Sequence, residues 1–453
     1  MKDKKIAIVG GGLAGSLISV MLGQRGYDVT VYEKRPDMRT REVDAGRSIN
    51  LALAQRGIKA LSAAGLMDDV EPLLIPMRGR QLHLPGGKQE FSPYGQREHE
   101  VIYSVSRERL NSLMLTASEQ HELVNVVFEQ ECQTIDFAKK QISFRDLNNG
   151  ADNVVDYDLL IGCDGAGSRV RRQLMPLVNG SSSSEILDHD YKELTIPAGK
   201  DSQHLIKKEA LHIWPRGGYM LIALPNLDGS FTVTLFMPKQ GEPSFESLND
   251  VDSVTKFFAS QFPTAMELIP DLAKEFFENP TGLLGTLRCE PWSYDDSVVI
   301  LGDASHAIVP FHGQGMNAAF EDCDEFCQLL DGFEHDWEKT IAEFGAVRKP
   351  HADAIADMAL ENYITMRDSV MDEQFQLKKE VGFELERKYP TRFTPRYSMV
   401  MFHSIGYAEA LTRGKIQDEL LTELTRGKDS CDTVDWELAA RMVEERLLPV
   451  VLD

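Results

Sequence analysis

The chain has 453 residues, which is enough for two or three domains with sizeable hydrophobic cores. Its formal net charge of −23 at pH 7 disfavours nucleic acid as a partner, because phosphate binding needs a basic surface, and it disfavours attachment to an anionic membrane for the same reason. No stretch approaches the roughly 18 consecutive apolar residues of a spanning helix, and no signal-peptide pattern precedes the first predicted strand, so we expect a cytoplasmic protein.

A glycine-rich turn follows the first predicted strand. Ile6–Val9 is a short apolar run, typical of a buried parallel strand, and it leads into Gly10-Gly11-Gly12-Leu13-Ala14-Gly15, a G-x-G-x-x-G pattern. In that pattern Gly10 permits the tight turn, Gly12 lets a pyrophosphate approach the backbone, and Gly15 lets the next helix pack closely on the strand. The start of that helix would face the phosphates.

The second predicted strand ends in an acidic residue. Glu33 closes the run Tyr27–Tyr32, 18 residues after Gly15, where a carboxylate accepts hydrogen bonds from ribose hydroxyls. The first two strands therefore predict a dinucleotide-binding unit.

Two more strands lead into loops of glycine and aspartate. Tyr157–Gly162 precedes Asp164-Gly165, and Val298–Leu301 precedes Gly302-Asp303 and a glycine-rich loop that feeds a helix. Three such turns, far apart in the chain, indicate one extended cofactor contacted from three places. FAD fits that pattern better than NAD.

The stretch between the second and third turns has a different character. The polar run Asn179–Ser184 indicates a loop or linker. Short β-like runs separated by Pro and Gly then predict the antiparallel hairpins of a separate sheet: Ala210–Trp214, Tyr219–Leu224 and Ser230–Phe236. We expect Gln81–Ser92 to join that sheet as another hairpin. Helical spacing returns in Ser253–Phe277, Ala318–Leu330, His351–Met366, Phe375–Arg387 and Trp436–Leu447.

These patterns predict an α/β fold. A doubly wound, Rossmann-like FAD-binding domain would cover residues 1–75, 100–180 and 285–370, with an inserted antiparallel β-sheet substrate domain at 76–99 and 181–284 and a helical C-terminal region at 371–453. The six cysteines lack a metal-ligand spacing, so we expect free, mostly buried thiols and no metal site.

The turns at Gly10–Gly15, Asp164-Gly165 and Gly302-Asp303 together resemble the motifs of FAD-dependent aromatic hydroxylases of the p-hydroxybenzoate hydroxylase type. The resemblance narrows to the kynurenine-hydroxylating branch through long, unusual stretches spread over nearly the whole chain: Gly46–Leu53, Pro76–Arg80, Leu211–Pro215, Ile222–Asn226, Phe231–Phe236, Val309–Asn317, Glu361–Tyr363 and Pro395–Val400. Eukaryotic members end in a hydrophobic anchor, whereas Leu447–Asp453 is too short to span, so the chain is similar to the soluble bacterial form.

The resemblance implies a reaction. NADPH reduces non-covalently bound FAD, O2 adds to the flavin, and the flavin hydroperoxide hydroxylates L-kynurenine to 3-hydroxy-L-kynurenine, in tryptophan degradation or de novo NAD biosynthesis. NADPH would have no nucleotide-binding domain of its own, and the protein would be a monomer or homodimer. No general base is assigned, because the aromatic amine of the substrate already activates the ring ortho to itself.

The resemblance also implies the site residues. Arg80, Tyr94, Asn362 and Tyr397 would hold the amino-acid end of the substrate, since an arginine can bind a carboxylate through two parallel hydrogen bonds. Phe311 and His312 would line the ring end near the flavin, and His306 is expected to be a packing or hydrogen-bonding residue. Cofactor contacts are expected from Gly10, Gly12, Leu13, Ala14, Gly15, Glu33, Lys34, Arg35, Ala52, Arg107, Cys132, Asp164, Asp303, Gly315, Met316 and Asn317.

Two alternatives stay open at this point. One keeps the flavin fold with another chemistry: a halogenase, an epoxidase, or an FAD-dependent hydroxylase of another small aromatic acid. A halogenase would carry a W-x-W-x-x-P-like motif, and the four tryptophans are too far apart for one. The other alternative is a non-catalytic, nucleotide-binding redox sensor, which predicts no turnover stimulated by a substrate.

Overall fold

The computed structural model of the chain describes residues 4–40, 50–367 and 372–452. Part of one motif from the sequence, Gly46–Ile49, lies outside the described residues. The chain forms two compact units. Unit 1 comprises Met1–Leu74, Val105–Ile186 and Gly285–Ala356, and unit 2 comprises Ile75–Ser104, Leu187–Leu284 and Asp357–Asp453.

The strands and helices are as follows. The strands are β1 (Lys5–Val9), β2 (Asp28–Tyr32), β3 (Asn50–Leu53), β4 (Ile75–Met77), β5 (Gly79–His83), β6 (Gln89–Pro93), β7 (Ile102–Ser106), β8 (Val124–Val127), β9 (Gln130–Asp136), β10 (Gln141–Asp146), β11 (Asp152–Asp156), β12 (Leu159–Gly162), β13 (Ser181–Ile196), β14 (Leu211–Pro215), β15 (Met220–Pro225), β16 (Phe231–Pro238), β17 (Thr281–Glu290), β18 (Ser293–Tyr294) and β19 (Val298–Ile300). The helices are α1 (Leu13–Gln24), α2 (Gln55–Ala63), α3 (Met67–Val70), α4 (Arg107–Ser118), α5 (Arg169–Leu177), α6 (Val251–Gln261), α7 (Pro263–Met266), α8 (Leu272–Glu278), α9 (Asp303–His306), α10 (Gly315–Gly332), α11 (Trp337–Arg367), α12 (Glu373–Lys388), α13 (Arg396–Met401), α14 (Tyr407–Thr425) and α15 (Trp436–Arg446).

Unit 1 is built on a six-stranded sheet in the order β18-β19-β12-β1-β2-β8. The pairs from β19 to β8 are parallel, and β18 adds an antiparallel edge. β1 and β12 are almost wholly buried, as expected for parallel strands covered on both faces. The strand order reverses direction at β1, because β2 lies on one side and β12 on the other. Such a reversal point is where open α/β sheets bind their ligands.

Unit 1 also contains a small antiparallel sheet, β9-β10-β11, that the sequence interpretation did not anticipate. Ile142 and Phe144 alternate inward along β10 and are fully buried. The β10–β11 connection turns at Gly150, which has a positive φ of 72°.

Unit 2 holds most of a seven-stranded sheet in the order β17-β13-β16-β15-β14-β5-β6. The predicted hairpins β14–β15 and β15–β16 form, and the β5–β6 hairpin joins the same sheet, as expected. Its junction with β14 is parallel, however, with Leu211 opposite Arg80, so the sheet is mixed rather than purely antiparallel. No tight turn connects β5 to β14, and the chain therefore does not constrain their relative direction.

The polar run predicted as a linker is in fact mostly strand. Asn179, with a φ of 49°, and Gly180 make a turn, after which Ser181–Ser184 begin the long strand β13. These serines are exposed. A strand at the surface pairs with its neighbour through backbone hydrogen bonds and can present polar side chains to water. The polar composition of this run therefore wrongly indicated a linker.

Two apolar cores support unit 2. One lies between the sheet and helices α6, α7 and α8, around Trp214, Phe231 and Phe258. The other joins α12, α14 and α15, around Val381, Leu420 and Val443. The helix α14 lies within the predicted helical C-terminal region, although the sequence pattern did not single it out as a separate helix. None of the helices within the described ranges is long and apolar enough to cross a membrane.

Candidate functional site

The turn between β1 and α1 depends on two glycines for its own shape. Gly10 has a φ of 104°, and a Cβ there would lie 2.4 Å from the carbonyl oxygen of Cys163. A Cβ on Gly15 would lie only 1.9 Å from the carbonyl oxygen of Gly10. Gly12, at the N-cap of α1, is different, because a Cβ there would meet nothing within 4 Å. The space beside Gly12 is therefore open to a ligand.

A cavity of about 390 Å³ opens in unit 1 at the carboxyl ends of β1, β2 and β12. Predicted cofactor residues that line it are Gly10, Gly12, Glu33, Lys34, Arg35, Arg107, Cys132 and Asp164. Gln130, Arg169 and Arg172 also line it and were not singled out in the sequence. The two arginines come shortly after the Asp164-Gly165 loop. Their closeness to that loop is the sequence feature that could have indicated a role in cofactor binding. A cavity with this many cations suits a ligand that carries phosphates.

The carboxylate of Glu33 is buried at one edge of this cavity. Its Oε2 accepts a hydrogen bond from the N–H of Gly11 at 2.7 Å, and its Oε1 accepts from the N–H and Nε of Arg35 at 2.9 and 2.7 Å. Burial acts to raise the pKa of Glu33, but Arg35 and the Gly11 N–H more than offset it, so the pKa lies below its usual value. Glu33 is therefore ionised near neutral pH and is a strong acceptor.

We expect Glu33→Gln to weaken FAD binding roughly 10-fold or more, because a hydrogen bond to a charged group contributes about 1.5–3 kcal/mol. The wild-type affinity should also fall as the pH drops through the lowered pKa of Glu33, whereas the affinity of the variant should not follow that titration. Flavin fluorescence during titration of the apoprotein measures both effects, with the exposed Glu122→Gln as control. Equal affinities for Glu33→Gln and wild type would remove Glu33 from the site.

Asp164 has local partners on the second loop. Its Oδ1 accepts from Ser168 Oγ at 2.6 Å, and its Oδ2 accepts from the backbone N–H groups of Arg169 and Val170 at 2.5 and 3.2 Å. Asp164 thus caps the start of α5 as well as lining the cavity. Arg171 then donates to the carbonyl oxygens of Ala166 and Ala304, at 2.6 and 2.7 Å, and so joins the second loop to the third.

A buried cluster of charged side chains holds the third loop, Gly302-Asp303, in place. The N–H of Gly302 donates to Asp322 Oδ2 at 3.0 Å, the same oxygen lies 2.5 Å from His306 Nε2, and Arg348 Nε donates to Asp322 Oδ1 at 2.9 Å. Burial acts to raise the pKa of Asp322, but His306 and Arg348 more than offset it and lower the pKa. Asp303 is exposed at the start of α9. His306 is a buried hydrogen-bonding residue, as predicted, whereas Asp322 and Arg348 were missed because no local pattern marks them.

The loop Pro310–Asn317 turns through Gly313, which has a φ of 64°, and enters the 18-residue helix α10. The side chain of Asn317 fixes this entry: its Nδ2 donates to the carbonyl oxygens of Ala52 and Gly313, both at 2.8 Å, and its Oδ1 accepts from the N–H of Ala54 at 2.9 Å. The backbone N–H groups of the first helical turn have no partner within the helix and carry its positive dipole end. Phe311 and His312 are buried on the same loop.

A second candidate site lies in unit 2, around Arg80 on β5. The guanidinium carbon lies 5.6 Å from the ring centre of Tyr94 and 5.0 Å from that of Tyr397, and the two rings stack on each other at 5.6 Å. Arg80 is partly buried, and its Nε and the hydroxyl of Tyr94 have no hydrogen-bond partner among the residues the structure describes. The sequence predicted all three residues as neighbours on one ligand.

The charge on Arg80 has no described carboxylate paired with it. Burial acts to lower the pKa of Arg80, but Tyr397 and Tyr94 more than offset it, so the guanidinium stays charged. Burial raises the pKa of both tyrosines, which therefore stay neutral. A partly buried cation flanked by neutral donors favours an anionic ligand.

Asn362, the fourth residue predicted for the substrate, lies on α11, where its Nδ2 is 3.4 Å from Met366 Sδ. Next to it, Glu361 pairs with Arg396 at 2.6 Å, and Arg396 precedes Tyr397. This ion pair holds the turn of α11 that carries Asn362 against the start of α13.

A family model described as FAD binding domain matches residues 3–359. The chain is 44% identical over 445 residues to the kynurenine 3-monooxygenase of Stenotrophomonas maltophilia, which covers 98% of this chain and 97% of that protein. It is also 44% identical over 444 residues to the kynurenine 3-monooxygenase of Myxococcus xanthus, covering 98% of this chain and 96% of that protein.

Solved structures share the fold. The tetrameric form of 2-methyl-3-hydroxypyridine-5-carboxylic acid oxygenase superposes with a TM-score of 0.66 at 18% identity, over 85% of this chain and 98% of that chain. PqsL of P. aeruginosa, in complex with 2-aminobenzoylacetate, superposes with a TM-score of 0.65 at 21% identity, over 81% of this chain and 97% of that chain.

Proposed function

The chain belongs to the FAD-binding-domain family that includes the kynurenine 3-monooxygenases, and on this premise we propose that it hydroxylates L-kynurenine to 3-hydroxy-L-kynurenine with NADPH, O2 and FAD. The match confirms the family and the cofactor that the sequence predicts. The geometric observation that carries the proposal is Arg80, a cation without a described carboxylate partner that lies between two neutral tyrosines. The reaction belongs to tryptophan degradation or de novo NAD biosynthesis.

The residues present fit FAD. The open space beside Gly12 suits a pyrophosphate, since no side chain or backbone atom lies where a Cβ would project. Glu33 would accept from the ribose hydroxyls, and the cations that line the cavity, among them Arg107 and Arg169, suit the phosphates. Asp303 would contact the middle of the cofactor from the third loop. The other predicted contacts, Leu13, Ala14, Gly15, Ala52 and Cys132, stay predictions.

When bound, FAD would supply the redox chemistry, namely hydride acceptance from NADPH and the activation of O2 for transfer of one oxygen atom to the substrate ring. The chain itself contributes binding and electrostatics. The N–H groups of Gly315, Met316 and Asn317 and the positive end of α10 would stabilise negative charge on the reduced ring system. The side chain of Asn317 holds that helix start in place through Ala52 and Ala54.

The substrate is an amino acid that carries an aminophenyl ketone. Arg80 would bind its carboxylate with two parallel hydrogen bonds, and the Tyr94 hydroxyl would donate to a remaining lone pair. That Asn362 and Tyr397 bind the same end of the substrate stays a prediction. That Phe311 and His312 line the pocket at the ring end also stays a prediction. No side chain is assigned as a general base, because the ring amine activates the position ortho to itself.

Turnover tests this proposal directly. We expect the purified protein to be yellow with FAD, and we expect L-kynurenine to stimulate its oxidation of NADPH strongly. Absorbance of NADPH and mass spectrometry of the product measure consumption and oxygen insertion together. A colourless protein that cannot take up FAD would contradict every flavin function.

The same assay separates the alternatives. NADPH oxidation stimulated without a hydroxylated product would make L-kynurenine an uncoupler and would favour another small aromatic acid as the substrate, since Arg80 suits any carboxylate. A cytoplasmic location, the lack of a nucleic acid partner and a monomeric or homodimeric state stay predictions.

A further inference from the structure

We propose that Lys379 is a second cation of the anion site centred on Arg80, and that its charge contributes to capture of the substrate carboxylate. This inference rests on the proposed function and assigns a binding residue to it. Lys379 lies on α12, far from Arg80 in the sequence, and no motif points to it.

The β5–β6 hairpin places Lys379 beside Arg80. Arg80 and Ser92 are directly opposite each other in the two paired strands. The Nζ of Lys379 donates to Ser92 Oγ at 2.5 Å and approaches the carbonyl oxygen of Pro93 at 3.4 Å. Pro93 is followed by Tyr94, whose ring lies 5.6 Å from the Arg80 guanidinium carbon. The ammonium group therefore contacts Ser92, which is paired with Arg80, and Pro93, which precedes Tyr94.

Two buried carboxylates on the neighbouring loop and helix pair with another cation. Glu100 and Glu386 both pair with Arg97, at 2.5 and 3.0 Å, and Glu386 also accepts from Gln96. Within the described ranges, no carboxylate forms an ion pair with Lys379. Two neighbouring cations without counter-ions are costly unless an anion binds there.

The titration of Lys379 is consistent with this arrangement. Burial and then the charge of Arg80 lower the pKa of Lys379 to about 8. Two further titratable groups flank Arg80, namely Tyr94, on the chain after β6, and Tyr397, on α13. Burial raises the pKa of both, which moves their titration away from that of the lysine.

The sign of the pH dependence follows. A bound carboxylate favours the charged ammonium and so raises the pKa of Lys379 in the complex. The contribution of Lys379 to affinity is therefore complete below the pKa of about 8 in the free protein, and it is lost as the pH rises through the higher pKa of the complex. The ratio kcat/KM reports the pKa of the free protein and should therefore fall above about pH 8.

The test measures kcat/KM for L-kynurenine at saturating NADPH across the lysine titration, in the FAD-loaded protein. Lys379→Met keeps the length of the side chain and removes the charge, and we expect it to lower kcat/KM about 10-fold at neutral pH, as for loss of a charged hydrogen bond. Lys379→Met should also remove the part of the decline in kcat/KM at alkaline pH that arises from deprotonation of Lys379. Lys379→Arg cannot lose its charge and should keep a high kcat/KM at alkaline pH.

Two further variants separate the charge from a structural role. Ser92→Ala removes the shorter of the two hydrogen bonds that Lys379 donates but leaves its charge, so it should keep the pH profile of the wild type. Lys378→Met changes the adjacent lysine, which pairs with Asp418, and should match the wild type. Titration of the substrate ammonium affects all variants equally and cancels in the comparison.

The outcomes separate this inference from the proposed function. If Lys379→Met retains the wild-type profile while the wild type hydroxylates L-kynurenine, Lys379 is not part of the anion site. If Ser92→Ala reproduces Lys379→Met, the lysine only anchors α12. If the wild type neither binds nor turns over L-kynurenine, the proposed function fails, and this inference fails with it.

Discussion

Replacing Arg80 by alanine is expected to lower kcat/KM for L-kynurenine roughly 30-fold to several-thousand-fold, because losing one partner of a shielded charge contact costs about 2–5 kcal/mol. Most of the loss should be in KM, since the carboxylate is distant from the reacting ring and contributes equally to ground-state and transition-state binding. FAD affinity should not change, because the cavity that suits the cofactor is lined by other residues. Steady-state kinetics and a flavin titration measure the two quantities.

Matched variants make the Arg80 result specific. Arg78→Ala changes an exposed arginine two positions away and should behave as the wild type. Arg80→Lys keeps a cation but loses the planar pair of donors, so it should recover only part of the loss. Tyr94→Phe keeps the ring beside the guanidinium and removes the hydroxyl alone. An unchanged KM in Arg80→Ala would remove Arg80 from carboxylate binding.

The second large effect is expected at Gly12. Its backbone is extended, with a φ of −76°, so valine can adopt the same conformation, and a Cβ there would meet nothing within 4 Å. Gly12→Val should therefore leave the folded apoprotein as stable as the wild type. The side chain would occupy the space assigned to the pyrophosphate. Because steric overlap between valine and the pyrophosphate would cost roughly 3 kcal/mol, we expect FAD affinity to fall at least about 100-fold.

Two other glycines provide the comparison for Gly12. Gly332, at the end of α10, is equally open, and Gly332→Val should keep FAD. Gly15→Val should lose the fold itself, because its Cβ would lie 1.9 Å from the carbonyl oxygen of Gly10. Thermal unfolding of the apoproteins and flavin titration distinguish these cases. If Gly12→Val binds FAD as the wild type does, the cofactor does not lie beside the β1–α1 turn.

Features that depend on neighbours in the sequence were predictable. The apolar run of β1 followed by glycines indicated the strand, the turn and the helix together, and the position of Glu33 followed from its distance along the chain. Each of these depends on backbone geometry or on hydrogen bonds between adjacent elements, so spacing is informative.

Features that depend on distant partners were not predictable. The parallel pairing of β5 with β14 depends on how a remote hairpin meets the sheet, and the exposed start of β13 has the composition of a loop. The same limit applies to the sites. Asp322 holds Gly302 from another helix, and Lys379 lies beside Arg80 through the β5–β6 pairing, and neither has a local signature.

The central claim is that this chain transfers one oxygen atom of O2 to the ring of L-kynurenine. A reaction under oxygen-18 gas, with NADPH and the FAD-loaded protein, tests it most directly through the product mass and the position of hydroxylation. We predict 3-hydroxy-L-kynurenine that carries one oxygen-18 atom, in an amount that accounts for most of the NADPH consumed. Unlabelled product, or NADPH consumption with peroxide and no hydroxylated kynurenine, would contradict the claim.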